Sequence, residues 1–425
     1  MSLSIKLPVV QNWSCHNCGG CCRQHGIYIT AAEKARIEAQ GWTPEHGIPA
    51  AQPLFVRMRG GLKKAWHRLA HQPDGACVFL DERGLCRIHA RFGEPAKPLA
   101  CRIYPYAFHP AGSKITIGLR FSCPSVVANR GAAVASQRKE LRELAQQVVP
   151  QGVHLTSPPL IAPGNPVSSW PDFLQFVAAL ESILADDPEE SVPFLTRLLA
   201  ALQFVDVLEQ ARFDRLTGER IREFLEIVTD GVFEDIPERP EDVPEPGSVA
   251  RTQFRLLAGH YARKDTYGSN DGTLRGRWNL LRSALALTRG RGMAPSLQPR
   301  LPPVPFEGLE APFGVPAESE GLFTRYFQVK LHGMSFCGAA YYQVPLVEGF
   351  RSLALVYPAV LWIARWIAAG EGRCRLEASD VAEALAIADH HHGYSPAFGT
   401  WGFRKRVQNL SQRQEIIRLC AWYSR

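Results

Sequence analysis

The clearest chemistry in this sequence is carried by four closely spaced cysteines near its start. The segment WSCHNCGGCCRQHG, residues 13–26, has the spacing C-x2-C-x2-C with one further cysteine directly after it. Iron-sulfur ferredoxins share that spacing, and zinc knuckles share its two-cysteine version. Gly19 and Gly20 let the backbone turn tightly around an ion. The segment therefore predicts a metal site with thiolate ligands.

Eight of the eleven cysteines lie within the first 123 residues, and all eight are candidate metal ligands. They are Cys15, Cys18, Cys21, Cys22, Cys77, Cys86, Cys101 and Cys123. Eight sulfurs fit two four-thiolate sites, or one such cluster with spare cysteines, and the count alone leaves both arrangements open. The three later cysteines are expected to lie outside any metal site, as ordinary small buried residues. These three are Cys337, Cys374 and Cys420.

The spacing suggests how the eight sulfurs divide. We expect Cys15, Cys18 and Cys21 to share one centre, with Cys101 or Cys86 as its fourth ligand. Adjacent side chains tend to diverge, so one of the pair Cys21 and Cys22 is expected to belong elsewhere. The remaining sulfurs should gather around the first site or form a second one. They are those of Cys22, Cys77, Cys86 and Cys123.

Charge and targeting signals limit the partners and the compartment. The net charge is +7, and residues 1–130 alone carry +10. That excess offsets metal-thiolate charge, whereas nucleic-acid binding is not favoured because no helix-turn-helix or zinc-finger histidine pattern accompanies it. The start of the chain lacks a signal-peptide core, so we expect a reducing, cytoplasmic location. The apolar segment 352–370 is interrupted by Pro358 and Arg365, which predicts a buried helix and no membrane partner.

The elements that must position the cysteines predict an α+β fold that is mostly α. Thr30 and Glu33 form a capping-box pattern at a helix start. The segment 77–89 is typical of a hairpin or knuckle, and 113–124 alternates like a strand. We therefore expect a small irregular cysteine-rich metal domain at 1–130, followed by a mainly helical region at 131–425. Two proline-rich connectors are expected within that region, at 235–247 and 294–316.

Over residues 15–124 the motif order resembles the CxxCxxCC cysteine-cluster family. The resemblance rests on C-H-N-C-G-G-C-C, then CVFLDERGLCRIH, then EPAKPLACRIYPY, then LRFSCPS. That family is described as zinc- or iron-chelating, and it includes the flagellin lysine N-methylases. A fainter similarity of segment order extends to the C-terminal half of the methylase branch.

The resemblance implies a metal-thiolate centre, [4Fe-4S] in the methylase branch with zinc as the alternative. It also implies transfer of a methyl group from S-adenosylmethionine to a lysine of a protein substrate. The sequence lacks both the C-x3-C-x2-C motif of radical enzymes and the glycine-rich strand-to-helix turn of ordinary methyltransferases. The chain is therefore either a methyltransferase-like enzyme or a non-catalytic metal-binding protein whose helical part binds a partner.

The box CRIYPY supplies the candidate catalytic residues Arg102, Tyr104 and Tyr106. An arginine beside a thiolate cluster compensates its charge, and tyrosines can shield it from water, although packing of a loop explains the tyrosines equally well. The histidines beside cysteines are expected to hydrogen bond to sulfurs or, less often, to replace one as ligand. They are His16, His25 and His89. The run His390-His391-His392-Gly393 is typical of a helix C-terminus.

Overall fold

The structure is a computed structural model that describes residues 4–60, 63–149, 157–186, 192–234, 236–237, 239–263 and 274–425. It is 55% helical and 10% strand, which confirms the predicted α+β, mostly α fold. The strands are β1 (Ser4–Lys6), β2 (Tyr28–Ile29), β3 (Phe55–Gly60), β4 (Lys63–Leu69), β5 (Tyr106–Ala111) and β6 (Lys114–Leu119).

The helices of the first 150 residues are mostly short, and most of those that follow are longer. The early ones are α1 (Gly20–Gln24), α2 (Ala31–Glu38), α3 (Arg87–Phe92), α4 (Leu99–Ile103), α5 (Pro124–Val127) and α6 (Arg138–Val148). The middle ones are α7 (Trp170–Ile183), α8 (Phe194–Gln210), α9 (Glu219–Gly231), α10 (Ser248–Ala262), α11 (Leu274–Arg289) and α12 (Phe306–Glu310). The last are α13 (Glu320–His332), α14 (Leu346–Ala354), α15 (Val356–Gly370), α16 (Ala378–His391), α17 (Trp401–Ser411) and α18 (Glu415–Ser424).

Two three-stranded sheets lie in the N-terminal part. The first has the order β1-β6-β5, with β1 parallel to β6 and the hairpin β5-β6 antiparallel. The second has the order β2-β4-β3 and is antiparallel throughout. The first sheet docks on α13 at a close backbone approach, where a Cβ on Gly333 would lie 2.7 Å from Gly118 Cα. Glycine at both positions lets the sheet and the helix meet.

Buried apolar residues form two separate clusters. The small cluster consists of eleven buried residues, and the large cluster contains the buried helices and also the β1-β6-β5 sheet. The small cluster comprises Ile29, Ile37, Ile48, Leu69, Ala70, Ala76, Cys77, Val78, Phe79, Leu80 and Ile88. Apolar packing thus joins residues 106–127 to the helical part. The domain boundary near residue 130 stays a prediction.

The apolar segment Leu346–Gly370 has the length and composition to cross a membrane, yet 89% of its most apolar window is buried inside the protein. That burial is typical of a core helix, which is what the sequence predicted for this segment. The proline-rich segment 294–316 is also packed, with Leu301, Val304 and Phe306 in the large cluster. Of the other predicted connector, 235–247, residues 235 and 238 lie outside the described residues.

Candidate metal centre

The first cysteine loop is fastened to the turn that ends the cysteine-rich segment. Ser14 N donates to Arg130 O at 3.0 Å, and Ala132 N donates to Ser14 Oγ at 3.1 Å. The two backbone segments approach so closely that a Cβ on Gly131 would lie 2.3 Å from Ser14 N. Gly131 also has a positive φ of 109°. The backbone, rather than a flexible arm, therefore fixes the point from which Cys15 emerges.

Cys77 and Cys86 are held by the knuckle that the sequence predicted. Isolated bridges join Leu80 to Cys86 and His71 to Cys77. Asp81 Oδ1 closes the turn by accepting hydrogen bonds from the backbone amides of Arg83 and Leu85, at 3.0 and 2.7 Å. Cys77 N donates to Cys22 O at 2.8 Å, which joins the knuckle to the first cysteine loop.

Cys101 and Cys123 are each placed by a short helix. Cys101 lies within α4, and the first amide of α4, Leu99 N, donates to Glu33 Oε1 at 2.8 Å. Glu33 belongs to the capping box at Thr30 that begins α2, so the predicted capping box is confirmed and also positions α4. Cys123 is the N-cap residue of α5. Backbone hydrogen bonds and caps thus bring distant parts of the sequence together.

All eight clustered cysteines line one cleft with a volume of about 1510 Å³. The same cleft is also lined by residues of the C-terminal part, namely His390, His391, Tyr394, Ser395 and Pro396. None of Cys337, Cys374 and Cys420 lines it. The sulfurs and the end of α16 thus face a shared space that is large enough for a small-molecule ligand.

Five of the sulfurs interact electrostatically, and we call them the five-sulfur group: Cys21, Cys22, Cys77, Cys86 and Cys101. The hydrogen bond from Cys22, then burial, raise the pKa of the Cys21 thiol. Burial, with smaller contributions from Cys86 and Cys21, raises the pKa of Cys77 to about 12. Burial and then Cys77 raise the pKa of Cys101. Burial and the neighbouring sulfurs thus oppose ionisation of Cys21, Cys77 and Cys101, and a bound cation would favour their thiolates.

The remaining sulfurs lie on the Cys123 side of the cleft. Burial raises the pKa of Cys123, and Cys18 contributes to the increase. A Cβ on Gly20 would lie 3.5 Å from Cys18 Sγ and 3.8 Å from Pro124 Cδ, so Cys18 is close to the start of α5. His16 Nδ1 and Ser125 Oγ are 2.7 Å apart, which brings the first loop to the same helix.

The sulfurs of Cys21 and Cys22 are 3.9 Å apart, so the expected divergence of these adjacent side chains is wrong in this geometry. The short helix α1 carries both sulfurs on its first turn. Two ligands of one tetrahedral zinc ion are about 3.8 Å apart when each Zn–S bond is about 2.3 Å. The pair is therefore spaced as two ligands of one ion would be.

The donor set fits zinc or an iron-sulfur cluster in type and in number. Thiolates select zinc and Fe–S clusters over the oxygen-preferring cations. Over the described residues, however, no three or more His, Cys, Asp or Glu side chains are arranged to hold a metal ion. The sulfurs share a cleft without converging on one point, so binding requires rotation of their side chains. The proposed grouping of Cys15, Cys18 and Cys21 stays a prediction.

The part of the cleft around Arg120 is cationic and aromatic. Arg120 Cζ lies 3.6 Å from the centroid of the Tyr394 ring and 5.7 Å from that of Tyr104. The rings of His25 and His390 stack with centroids 4.8 Å apart. Burial, followed by the charge of Arg120, lowers the pKa of His25 to about 2. Arg120 has no carboxylate partner among the described residues, whereas its Nη2 donates to His390 O at 3.2 Å.

The three candidate catalytic residues all line the cleft, and each already has a partner. Arg102 Nε is 2.9 Å from Glu94 Oε1. Tyr104 Oη and Ser122 Oγ are 3.2 Å apart. Tyr106 is buried and its hydroxyl donates to Gln137 Oε1 at 2.7 Å. Their catalytic roles stay predictions, and the partners of Arg102 and Tyr106 favour a structural contribution.

The sequence did not single out Arg120 or Tyr394, and it interpreted the histidine run only as a helix end. The helix end is confirmed, since α16 ends at His391 and Gly393 has a φ of 80°. His390 and His391 nevertheless line the cleft as well. Arg120 could have been found from its position three residues before Cys123. The contribution of α16 could not, because it depends on how the helical part packs against the cysteines.

A buried ion pair fixes the end of α16 against the cysteine-rich segment. Lys330 Nζ lies 2.5 Å from Asp389 Oδ1, and both side chains are buried. Asp389 Oδ2 also accepts a hydrogen bond from Ser122 N at 3.0 Å, one residue before Cys123. Tyr326 donates to the same carboxylate at 3.3 Å. These contacts satisfy both oxygens of the buried carboxylate, which joins the end of α16 to the cysteine-rich segment.

Comparisons with known proteins agree with the thiol-rich character of this region. Residues 14–124 match the model of the CxxCxxCC family, which carries the description "Putative zinc- or iron-chelating domain". The matched segment contains all eight clustered cysteines. No curated protein and no solved structure matched the chain. The comparisons thus support a candidate zinc- or iron-chelating cysteine domain at 14–124.

Proposed function

We propose that this protein holds a metal-thiolate centre in the cleft and methylates a lysine side chain of a protein substrate, using S-adenosylmethionine. The observation that carries the proposal is that one cleft is lined both by all eight clustered cysteines and by the end of α16. A purely structural metal site would need no open space of that volume beside it. The resemblance of residues 15–124 to the cysteine-cluster family supplies the class of reaction.

The proposed centre is [4Fe-4S], with zinc as the alternative. We assign the five-sulfur group to one centre, because its members already interact electrostatically. Cys15, Cys18 and Cys123 would then serve a second ion or remain free thiols. When bound, such a centre supplies either electron transfer or Lewis-acid polarisation.

The methyl donor would lie against the part of the cleft around Arg120. S-adenosylmethionine carries a carboxylate, an adenine ring and a sulfonium, so it needs a cation and aromatic surfaces. Arg120 lines the cleft without a carboxylate partner among the described residues, and Tyr394 and Tyr104 flank it. Arg120 is therefore our candidate for the donor's carboxylate, with the tyrosines beside its adenine.

The lysine would enter over α6, whose residues Glu140 and Glu143 line the cleft. Neither carboxylate has an ion-pair partner within the part of the chain that the structure describes, so both can attract the ammonium group of the substrate. The amine must lose a proton before its nitrogen attacks the methyl carbon. The S–CH3 electron pair then stays on sulfur, which leaves S-adenosylhomocysteine.

The first test is metal analysis of anaerobically purified protein, with iron, sulfide and zinc measured together with absorbance near 400 nm. A brown protein with iron and sulfide supports [4Fe-4S], and a colourless one with stoichiometric zinc supports the alternative metal. The double variant Cys21→Ser/Cys77→Ser should lose the centre. Cys374→Ser, at an exposed position outside the cleft, is the matched control. A full metal content in the double variant would contradict our assignment.

The second test measures donor binding by calorimetry and lysine methylation by mass, on metal-loaded protein. Arg120→Gln should weaken donor binding. Glu140→Gln/Glu143→Gln should reduce methylation and leave donor binding unchanged. Arg215→Gln, at a fully exposed site outside the cleft, is the control for lost charge. Absence of donor binding and of methylation in the wild type would contradict the proposed methyltransferase activity.

The second candidate function is a non-catalytic metal-binding protein, and one observation favours it. Cys77 is itself a member of the small cluster, and Cys22 and Cys86 pack against it. A cluster of eleven buried residues is small for independent stability, and a structural metal would stabilise it. Metal content that sets the melting temperature, without any donor binding, would identify this function.

A further inference from the structure

The helix α11 presents a second apolar face that the described part of the chain leaves exposed. Its inner face packs on α10, with Gly276 and Leu287 buried and Arg255 Nε donating to Leu287 O at 2.9 Å. Its outer face carries large apolar side chains at four positions. They are Leu274, Trp278, Leu281 and Leu285, which are 86%, 61%, 49% and 47% exposed. We call these four residues the outer stripe of α11.

The spacing of the outer stripe follows the helical period. Steps of four, three and four residues place the side chains within about 60° of arc at 100° per residue, over about 17 Å of helix length. The opposite face is the one that packs on α10. The helix is thus apolar on two sides, whereas packing in the core requires only one.

Positive charge surrounds the outer stripe. Residues 274–291 contain five arginines and no acidic residue, while the rest of the region 131–425 has a net charge of −8. The arginines are Arg275, Arg277, Arg282, Arg289 and Arg291. All five are exposed, and none forms an ion pair with another described residue. At 100° per residue, Arg277 borders one edge of the stripe, and Arg275, Arg282 and Arg289 border the other.

We propose that the outer stripe of α11 and its flanking arginines bind the surface of an anionic lipid membrane. Leucine and tryptophan side chains insert at the boundary between headgroups and acyl chains, and the arginines contact the anionic headgroups. Nucleic acid would use the arginines but would gain little from exposed leucines. This surface contact differs from a membrane span and departs from the sequence-based expectation of no membrane partner. It is independent of the proposed function.

The test is sedimentation of the full chain with vesicles of phosphatidylcholine alone, or with one third of that lipid replaced by phosphatidylglycerol. We expect binding to the anionic vesicles only, and weaker binding at high salt. Trp278→Ser/Leu281→Ser should reduce affinity more than about tenfold, and Arg275→Gln/Arg282→Gln by about fivefold per arginine.

Two matched controls separate this surface from apolar area and charge in general. Ile227→Ser/Trp401→Ser removes side chains from α9 and α17 that are even more exposed, and Arg215→Gln/Arg220→Gln removes the same charge elsewhere. Both should bind vesicles like the wild type. Three results would overturn the proposal: vesicle binding unchanged in the serine variant of α11, a dimer that this variant converts to monomer, or binding to oligonucleotides without binding to vesicles.

Discussion

The small and the large apolar clusters differ in the partners of the ionisable groups buried in or beside them. In the large cluster, buried charges have partners within the protein, as in Lys330–Asp389 and in Arg365, whose Nη2 donates to Tyr423 O at 2.9 Å. The small cluster instead contains Cys77, with Cys22 and Cys86 packed against it, and burial and neighbouring sulfurs raise the pKa of Cys77. The large cluster thus satisfies its buried charges within the protein, whereas a bound cation would stabilise the thiolates beside the small one.

The largest expected effect that distinguishes the clusters is that of metal removal. Chelation should unfold the region around the small cluster and leave α15 folded, since α15 is almost entirely buried in the large cluster. Structural zinc contributes about 10–16 kcal/mol in zinc-finger peptides, which indicates the scale. Hydrogen exchange should show loss of amide protection over residues 77–101 and none over 356–370. Equal loss of amide protection in both ranges would contradict the proposed difference between the two clusters.

The next effect is that of truncating one large side chain in each cluster. Phe79→Ala and Trp362→Ala each remove a fully buried aromatic side chain, with an expected cost of about 3–5 kcal/mol. We expect Phe79→Ala to reduce metal retention and local protection, and Trp362→Ala to lower the midpoint of global unfolding by denaturant. The two variants control for each other. If Phe79→Ala lowers the global midpoint as much as Trp362→Ala does, the two clusters form a single cooperative unit.

What could be predicted from sequence follows the same division. Local signals were sufficient for the capping box at Thr30, the knuckle predicted at 77–89, the strand predicted at 113–124 and the buried helix predicted at 352–370, because each depends on neighbouring residues. The structure places that strand at Lys114–Leu119 and divides the apolar segment into α14 and α15. We also expected the eight cysteines to gather in one region, from their number and close spacing, and all eight line one cleft.

The part of the cleft where Arg120 meets the end of α16 could not be predicted, because it forms through contacts between residues far apart in sequence. Arg120 meets Tyr394, and Asp389 accepts from Ser122, across about 270 positions. No local pattern encodes such pairs. The 3.9 Å separation of Cys21 and Cys22 was mispredicted for another reason, namely that α1 turns both sulfurs toward the same space.

Acid should affect the large cluster through buried neutral histidines. Burial, followed by the charge of Lys330, lowers the pKa of His392 to about 3, and burial lowers that of His109 to about 4. The unfolded state binds these protons more readily below a pH of about 6.5, so stability falls as pH decreases from there to the folded pKa. The slope is at most about 1.4 kcal/mol per pH unit for each histidine.

The measurement is helix circular dichroism during denaturant unfolding of metal-free protein, at several pH values between 7 and 4. His392→Gln should show a shallower loss of stability than the wild type below pH 6.5, and no change of slope above it. His109→Gln should show the same behaviour over a narrower interval. Parallel curves for His392→Gln and the wild type would mean that this histidine is already charged in the folded protein.

The smallest expected effect comes from two helix caps, one for each cluster. Thr30 caps α2 beside the small cluster, and Thr400 caps α17, which packs on the large one. Replacing either with alanine should cost about 1 kcal/mol, because one backbone amide of the first turn loses its acceptor. Thr30 also orients Glu33, whose carboxylate accepts from Leu99 N at the start of the helix that carries Cys101. Thr30→Ala should therefore weaken metal retention as well, while Thr400→Ala should lower only the global unfolding midpoint. Metal titration and denaturant unfolding of the two variants separate these outcomes, and equal metal affinity in both would show that α4 is positioned without the cap.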